Sequence, residues 1–152
     1  MTQIITNPEQ LTALRDAVRA EQAKLAAAGH KQVRICMGAG CIASGAQRLK
    51  TALENELANR NLTDQVTVIG TGCLGPCSAG PTLKIDDIFY ENLKPQDGAT
   101  LVAEHLVKGQ VVERLTHRRA DGRHVAQTGD MDFFKRQEKI VLRNCGIVDP
   151  LR

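Results

Sequence analysis

Four of the five cysteines fall in two short, Gly-rich phrases: Cys36-Met-Gly-Ala-Gly-Cys41 and Cys73-Leu-Gly-Pro-Cys77. The stretch between them is long enough for one helix and one strand. Each phrase follows a β-prone run, Val33-Arg34-Ile35 and Val66-Thr67-Val68-Ile69. Rigid elements therefore deliver both pairs. Four thiolates converging from two loops is a donor set for a [2Fe–2S] cluster or a Cys₄ zinc ion. Seven of the 13 glycines lie in or beside these loops: Gly38, Gly40, Gly45, Gly70, Gly72, Gly75 and Gly80. That density suits a cluster, whose sulfurs accept hydrogen bonds from closely approaching backbone N–H groups. Zinc favours tight C-x₂₋₄-C knuckles, a form these C-x₄-C and C-x₃-C spacings still satisfy. A thiol–disulfide protein is the third reading, weakened by the lack of a C-x-x-C. The spacing favours iron–sulfur and leaves the zinc-stapled interaction module and the thiol–disulfide redox protein as alternatives.

The rest of the chain sets bounds. The longest apolar runs fall far short of the ~18 residues a membrane span needs. Met1 to Pro8 lacks the basic-then-apolar pattern of a secretory signal, so a cytoplasmic location is expected. In such a chain five cysteines point to metal or redox chemistry rather than structural disulfides. Residues 1–107 carry 10 Lys/Arg against 11 Asp/Glu, and residues 108–152 carry 10 against 6. The tail is thus basic, but no aromatic residues interleave with its arginines to stack bases, which argues against nucleic-acid binding. The single Tyr, three Phe and absent Trp require an aliphatic core.

Asn7-Pro8-Glu9-Gln10 is a helix start, with Asn as cap and Pro at the first helical position. Leu11, Leu14, Val18 and Leu25 then form a helical stripe that Gly29 ends. Ser44-Gly45-Ala46-Gln47 reads as a second capping box, placing Cys41 just before a helix that buries Ala46, Leu49, Leu53 and Leu57. Thr82–Ile85 and Ile88–Tyr90 read as a hairpin around Asp86-Asp87. Gln96–Val107 reads as a third helix stopped by Gly109, and Val111-Val112 as a last short strand. The order α, β, α, β, β, β, α describes a small mixed α+β sheet, not a doubly wound fold. Gly70-Thr71-Gly72-Cys73-Leu74-Gly75 matches G-x-G-x-x-G, but Pro76, Gly80 and Pro81 follow where a dinucleotide fingerprint must open a helix. His30, His105, His117 and His124 show no ligand spacing. No catalytic constellation is evident.

At Val33–Cys41 and Thr71–Cys77 the chain resembles the thioredoxin-like [2Fe–2S] ferredoxin family. The resemblance implies a thioredoxin-like mixed four-stranded sheet flanked by helices, with an extra N-terminal helix and an extended C-terminal linker. It implies Cys36, Cys41, Cys73 and Cys77 as cluster ligands, and a cis Gly80–Pro81 bond before the third strand. Ile88–Pro95 and Ile140–Pro150 further resemble the N-terminal ferredoxin domain of the flavin-bearing subunit in NAD(P)-linked multisubunit enzymes. These include electron-bifurcating iron hydrogenases and NAD-dependent formate dehydrogenases, relatives of the NADH-oxidising subunit of complex I. Implied are residues 1–30 as an N-terminal helix, 31–112 as the ferredoxin domain, and 113–152 as a basic linker toward an absent flavin/NAD(P)H domain. The expected function is one-electron transfer, with no catalysis by the domain alone. FMN, NAD(P) and a [4Fe–4S] centre belong to the implied assembly, whose flavin/NAD(P)H-binding and iron–sulfur subunits are the expected partners. Phe133 and Phe134 are candidates for interdomain packing or for covering this domain's own core. Cys145 is expected to be structural.

Overall fold

The computed structural model describes residues 4–138, 140 and 141. The chain forms two compact units, one ending at His30 and one beginning at Lys31. Expectations for Cys145 and for the stretch from Leu142 to Pro150 lie outside the described residues.

The first unit is the helix α1, Pro8–Ala27. Its start follows the expected chemistry: the Asn7 side chain accepts from the Gln10 N–H at 2.9 Å, and Pro8 occupies the first turn, where no N–H is needed. The Gln10 carboxamide oxygen turns back to accept from the Thr6 N–H at 2.8 Å. None of its residues is buried; Leu11, Leu14, Val18 and Leu25 remain 36–57% exposed.

The second unit is built on a four-stranded sheet of order β2-β1-β3-β4. These strands are β1 (Lys31–Cys36), β2 (Val66–Thr71), β3 (Leu83–Ile85) and β4 (Ile88–Tyr90). β1 pairs with β2 in parallel, from Lys31 opposite Val66 to Cys36 opposite Thr71, and with β3 antiparallel, Val33 opposite Ile85. A parallel pair needs a crossover, and here it consists of α2 (Ala39–Ala43) and α3 (Ala46–Asn59). Ala46, Leu49, Leu53 and Leu57 recur every three to four residues, so α3 buries one stripe. That stripe meets Val33 and Ile35 of β1, Leu83 and Ile85 of β3, and Leu101 and Val102 in one core. β3 and β4 form the expected hairpin, with Asp86 taking the left-handed φ of 51° at its turn. The Gly80–Pro81 bond is cis.

Three local expectations are corrected. Ser44 is not a cap. Its hydroxyl donates back to the Gly40 carbonyl at the end of α2, and α3 starts from Gly45 at φ 102°. Two short helices fit here because glycine takes the left-handed turn between them. The third helix begins as α4 (Asp97–Thr100) and widens into a π-helical stretch over Leu101–Val107. Val111 and Val112 form no strand; the Val112 N–H donates to the Tyr90 hydroxyl.

The segment expected as a linker is folded at least as far as Phe134. A 3₁₀ turn (Glu113–Leu115) leads into the small hairpin β5 (His117–Arg118) and β6 (His124–Val125), a second 3₁₀ turn (Thr128–Asp130) and α5 (Asp132–Lys135). This segment covers the free edge of β4. The Phe89 N–H donates to the Ala126 carbonyl at 2.8 Å, and the Glu91 N–H to that of Leu115 at 2.9 Å. Leu115, Thr116 and Met131 are buried by the arrangement. An edge strand with unpaired backbone groups needs such a cover. The covering groups are mostly backbone, so residue pattern alone did not reveal them.

Candidate metal centre

The parallel register that sets Cys36 opposite Thr71 also sets both cysteine loops at the same end of the sheet. Cys36 is the last residue of β1, and its N–H donates to the Thr82 carbonyl at 3.0 Å. The Met37 N–H donates to the Thr71 carbonyl at 2.9 Å, tying the first loop to the end of β2. α2 then returns Cys41 to the same place. Cys41 lies inside this short helix, not just ahead of a longer one as the sequence pattern implied. Cys73 follows β2, and Cys77 opens a 3₁₀ turn, Cys77–Ala79, that leads to the cis-proline.

The loops touch through glycine. A Cβ placed on Gly38 would lie 3.5 Å from Cys36 Sγ and 3.6 Å from Cys73 Cβ; one on Gly40 would lie 3.9 Å from Cys77 Cβ. All four sequence-predicted cysteines are therefore brought together. They stand as two pairs of opposite exposure. Cys36 and Cys41 are each 2% exposed, whereas Cys73 and Cys77 face solvent with their sulfurs 3.4 Å apart.

The thiols perturb one another. Burial pushes the Cys41 thiol up, and its hydrogen bond with Cys36 pushes it further. Burial opposes ionisation of Cys36 too, but hydrogen bonds from the backbone of Leu74 and Gly38, then from Cys41 and Thr82, hold it below the ordinary thiol value. Cys73 is raised by partial burial, by Cys77 and by the charge of Cys36 across the loops. A site that favours one thiolate while resisting its neighbours holds more sulfur charge than it can carry unaided. Metal bound by these four thiols would remove that conflict by replacing their protons.

The donor set fits a binuclear cluster. Each iron of a [2Fe–2S] centre completes its four ligands with two thiolates beside two bridging sulfides, so two thiol pairs are what it requires. Among the described residues, no three His, Cys, Asp or Glu are grouped closely enough to hold a metal ion, so the four cysteines stand as two pairs and not as one closed group. Three of the histidines are engaged elsewhere: His105 with the Tyr90 hydroxyl, His117 with Glu91 and His124 with Thr116. Asp86 and Asp87 serve the hairpin turn.

Sequence reasoning missed Thr82 and the contact that Phe133 and Phe134 make with the site; Phe134 does cover this domain's own core, as one of the two expectations had it. Thr82 is buried between the loops, its carbonyl on the Cys36 N–H and its hydroxyl 3.9 Å from Cys41 Sγ. Its place after a Gly-Pro was the available signal. Phe133 and Phe134 reach the second loop at Gly75, a contact that their distance along the chain concealed.

Metal-type cysteine loops at the end of a four-stranded mixed sheet, with a cis-proline entering the third strand, define a small thioredoxin-like metal protein. A family model described as thioredoxin-like [2Fe-2S] ferredoxin matches residues 21–106. The [2Fe-2S] ferredoxin of Clostridium pasteurianum is 32% identical over 77 residues, which cover 49% of this chain and 76% of that protein. A subunit of the NADH-quinone oxidoreductase of Buchnera aphidicola is 30% identical over 81 residues, covering 51% of this chain and 50% of that protein. The solved thioredoxin-like [2Fe-2S] ferredoxin of Aquifex aeolicus superposes with a TM-score of 0.54 at 27% identity, over 57% of this chain and 88% of that one. The chain belongs to the thioredoxin-like [2Fe–2S] ferredoxin family, and its cofactor is a [2Fe–2S] cluster. It is an electron-transfer domain related to the NADH-quinone oxidoreductase protein just described. Among the described residues, no helix is long and apolar enough to cross a membrane.

Proposed function

We propose that Cys36, Cys41, Cys73 and Cys77 are the four cluster ligands. On this reading the protein passes single electrons between a flavin–NAD(P)H site and another iron–sulfur centre of a multisubunit oxidoreductase. The observation that carries the ligand assignment is the convergence of the two loops, close enough that a Cβ on Gly38 or Gly40 would touch Cys73 or Cys77. When bound, the cluster supplies a reversible one-electron couple. The chain's own part is to hold the thiolates, keep one pair dry and leave the other near the surface. A small, exposed ligand edge suits outer-sphere transfer to a docked partner.

The setting is a proposal of the same kind. Similarity to a component of NADH-quinone oxidoreductase supports an NAD(P)H-linked complex in the cytoplasmic compartment, where thiols stay reduced for metal. The resemblance of Ile88–Pro95 to flavin-bearing subunits supports the hydrogenase or formate dehydrogenase type, with a flavin/NAD(P)H-binding partner.

The test is anaerobic metal analysis with EPR after dithionite reduction. About two iron and two sulfide per chain, as a [2Fe–2S] centre requires, are expected with an S = 1/2 signal. Cys73→Ala and Cys77→Ala should each abolish that signal; alanine is used because a serine oxygen can still ligate iron. Stoichiometric zinc in protein made with ample iron would leave an interaction module instead.

A further inference from the structure

The cysteine pair open to solvent is the one whose loop carries an aromatic brace. Gly75 is the centre of the Cys73–Cys77 loop and holds φ at +129°. A Cβ there would meet Phe133 Cε1 at 2.7 Å and Phe134 Cε1 at 3.3 Å. No side chain could stand at Gly75 with the rings in place. The two rings meet edge to face, with centroids 5.1 Å apart. Phe134 reaches inward to Phe89 of β4 at 5.6 Å, while Phe133 stays 40% exposed.

The brace is itself anchored. Met131, just ahead of α5, is 1% exposed, and its carbonyl accepts from the Phe134 N–H at 3.0 Å. Arg119, beyond β5, donates to the Asp130 carbonyl at 2.6 Å and lies 3.8 Å from the Asp132 carboxylate. A continuous chain of contacts therefore runs from the β5–β6 hairpin through α5 to the second cysteine loop. Apart from Phe89, its anchoring residues lie beyond residue 106, where the family match ends.

We propose that Phe133 and Phe134 are positioning residues for the cluster: they clamp the Cys73–Cys77 loop and cover its Gly75 side, so that the downstream segment sets the cluster's reduction potential. This rests on the ligand assignment above. The sign follows from charge. Reduction adds one negative charge to the site, and water stabilises that charge better than an aromatic wall does. Removing the Phe133 ring opens the Gly75 side of the loop to water as well and makes reduction easier. A displacement of α5 by a partner would act in the same direction.

The experiment is a redox titration of the cluster-loaded full chain, followed by EPR, for wild type, Phe133→Ala and Phe133→Leu. Phe133 is chosen because its exposure lets the variant fold. Phe133→Ala is expected to shift the oxidised-to-reduced equilibrium toward reduction by about threefold to tenfold. For one electron this is roughly 30–60 mV upward. The shift should come with an altered EPR line shape and faster cluster loss in air. Phe133→Leu restores apolar cover only in part and should recover at least half, but not all, of the shift. Should Phe133→Ala lose its cluster during preparation, a smaller upward shift in Phe133→Leu supports the clamp, and an unchanged potential there overturns it. Wild-type potential and EPR in a loaded Phe133→Ala protein, or a shift that leucine leaves undiminished, also overturn it. The ligand assignment fails separately, through wild type without two irons per chain or Cys73→Ala with an intact signal.

Discussion

Gly80 shows how closely the site is fitted around sulfur. Its backbone, at φ −71° and ψ 155°, is open to any residue. Its surroundings are not: a Cβ would sit 3.0 Å from Cys41 Sγ and 3.3 Å from the Cys77 carbonyl. The methyl of Gly80→Ala must displace either a buried sulfur or the turn that begins at Cys77. Overpacking of this kind costs about 1–3 kcal/mol, and here the cost falls on ligand geometry. Gly80→Ala is expected to fold, with circular dichroism like wild type, and to lose most of its iron on anaerobic purification. Full iron occupancy with an unchanged EPR signal would show that the Cys41 environment tolerates the methyl. At this scale the sequence was highly legible. Cysteine spacing and glycine density located the thiols because a cluster constrains residue type and local backbone together. Thr82 and the aromatic brace were hidden, since each acts through contacts made across the fold.

Among the elements, the π-helical stretch Leu101–Val107 has the clearest consequence. It carries His105 into the core, 6% exposed, with Nδ1 2.8 Å from the Tyr90 hydroxyl. That hydroxyl also accepts from the Val112 N–H at 3.3 Å, so it ties the buried imidazole to the backbone beyond the helix. Burial, then the nearby charge of Lys31, hold the His105 pKa below its ordinary value, with Asp86 opposing. A depressed histidine is neutral in both folded and unfolded chains above about pH 6.5. Below that, the unfolded chain takes up the proton first, and stability falls with pH. The urea midpoint should therefore drop between about pH 6.5 and 5, and His105→Gln should flatten the drop relative to wild type. Parallel curves for the two proteins would mean that His105 titrates freely in the fold. Helix period and Gly109 disclosed this element's span but not its π-helical form, because the same apolar spacing suits either winding. Ser44 misled for a related reason: a hydroxyl near a helix start has two backbone targets, and the Gly40 carbonyl won.

At the scale of the molecule, the sequence pattern divides the chain into helix, ferredoxin domain and tail, while the packing weights those parts unequally. α1 has a strong cap and a regular stripe, yet it contributes no buried residue. The stretch beyond residue 112 looks polar, yet it supplies Leu115 and Met131 to the core and backbone partners to the edge of β4. Hydrophobic period is blind to such a segment, because a few well-placed side chains and carbonyls do the covering. The two ends should therefore respond in opposite ways to truncation. Removing residues 1–30 takes away no buried residue among those described, and the thermal midpoint of the cluster-loaded protein should move by only a few degrees. Ending the chain at residue 112 removes two buried apolar side chains worth about 1.5–3 kcal/mol each, and leaves unpaired N–H groups on Phe89 and Glu91. Against a total stability of about 5–15 kcal/mol, that loss should lower the midpoint by roughly 10 °C or more or abolish cooperative unfolding. Anaerobic thermal unfolding followed by circular dichroism reads both variants. Equal midpoints for the chain ending at 112 and the full chain would return residues 113–138 to the status of a linker, whereas a large loss on removing residues 1–30 would give α1 a stabilising role despite its exposed stripe.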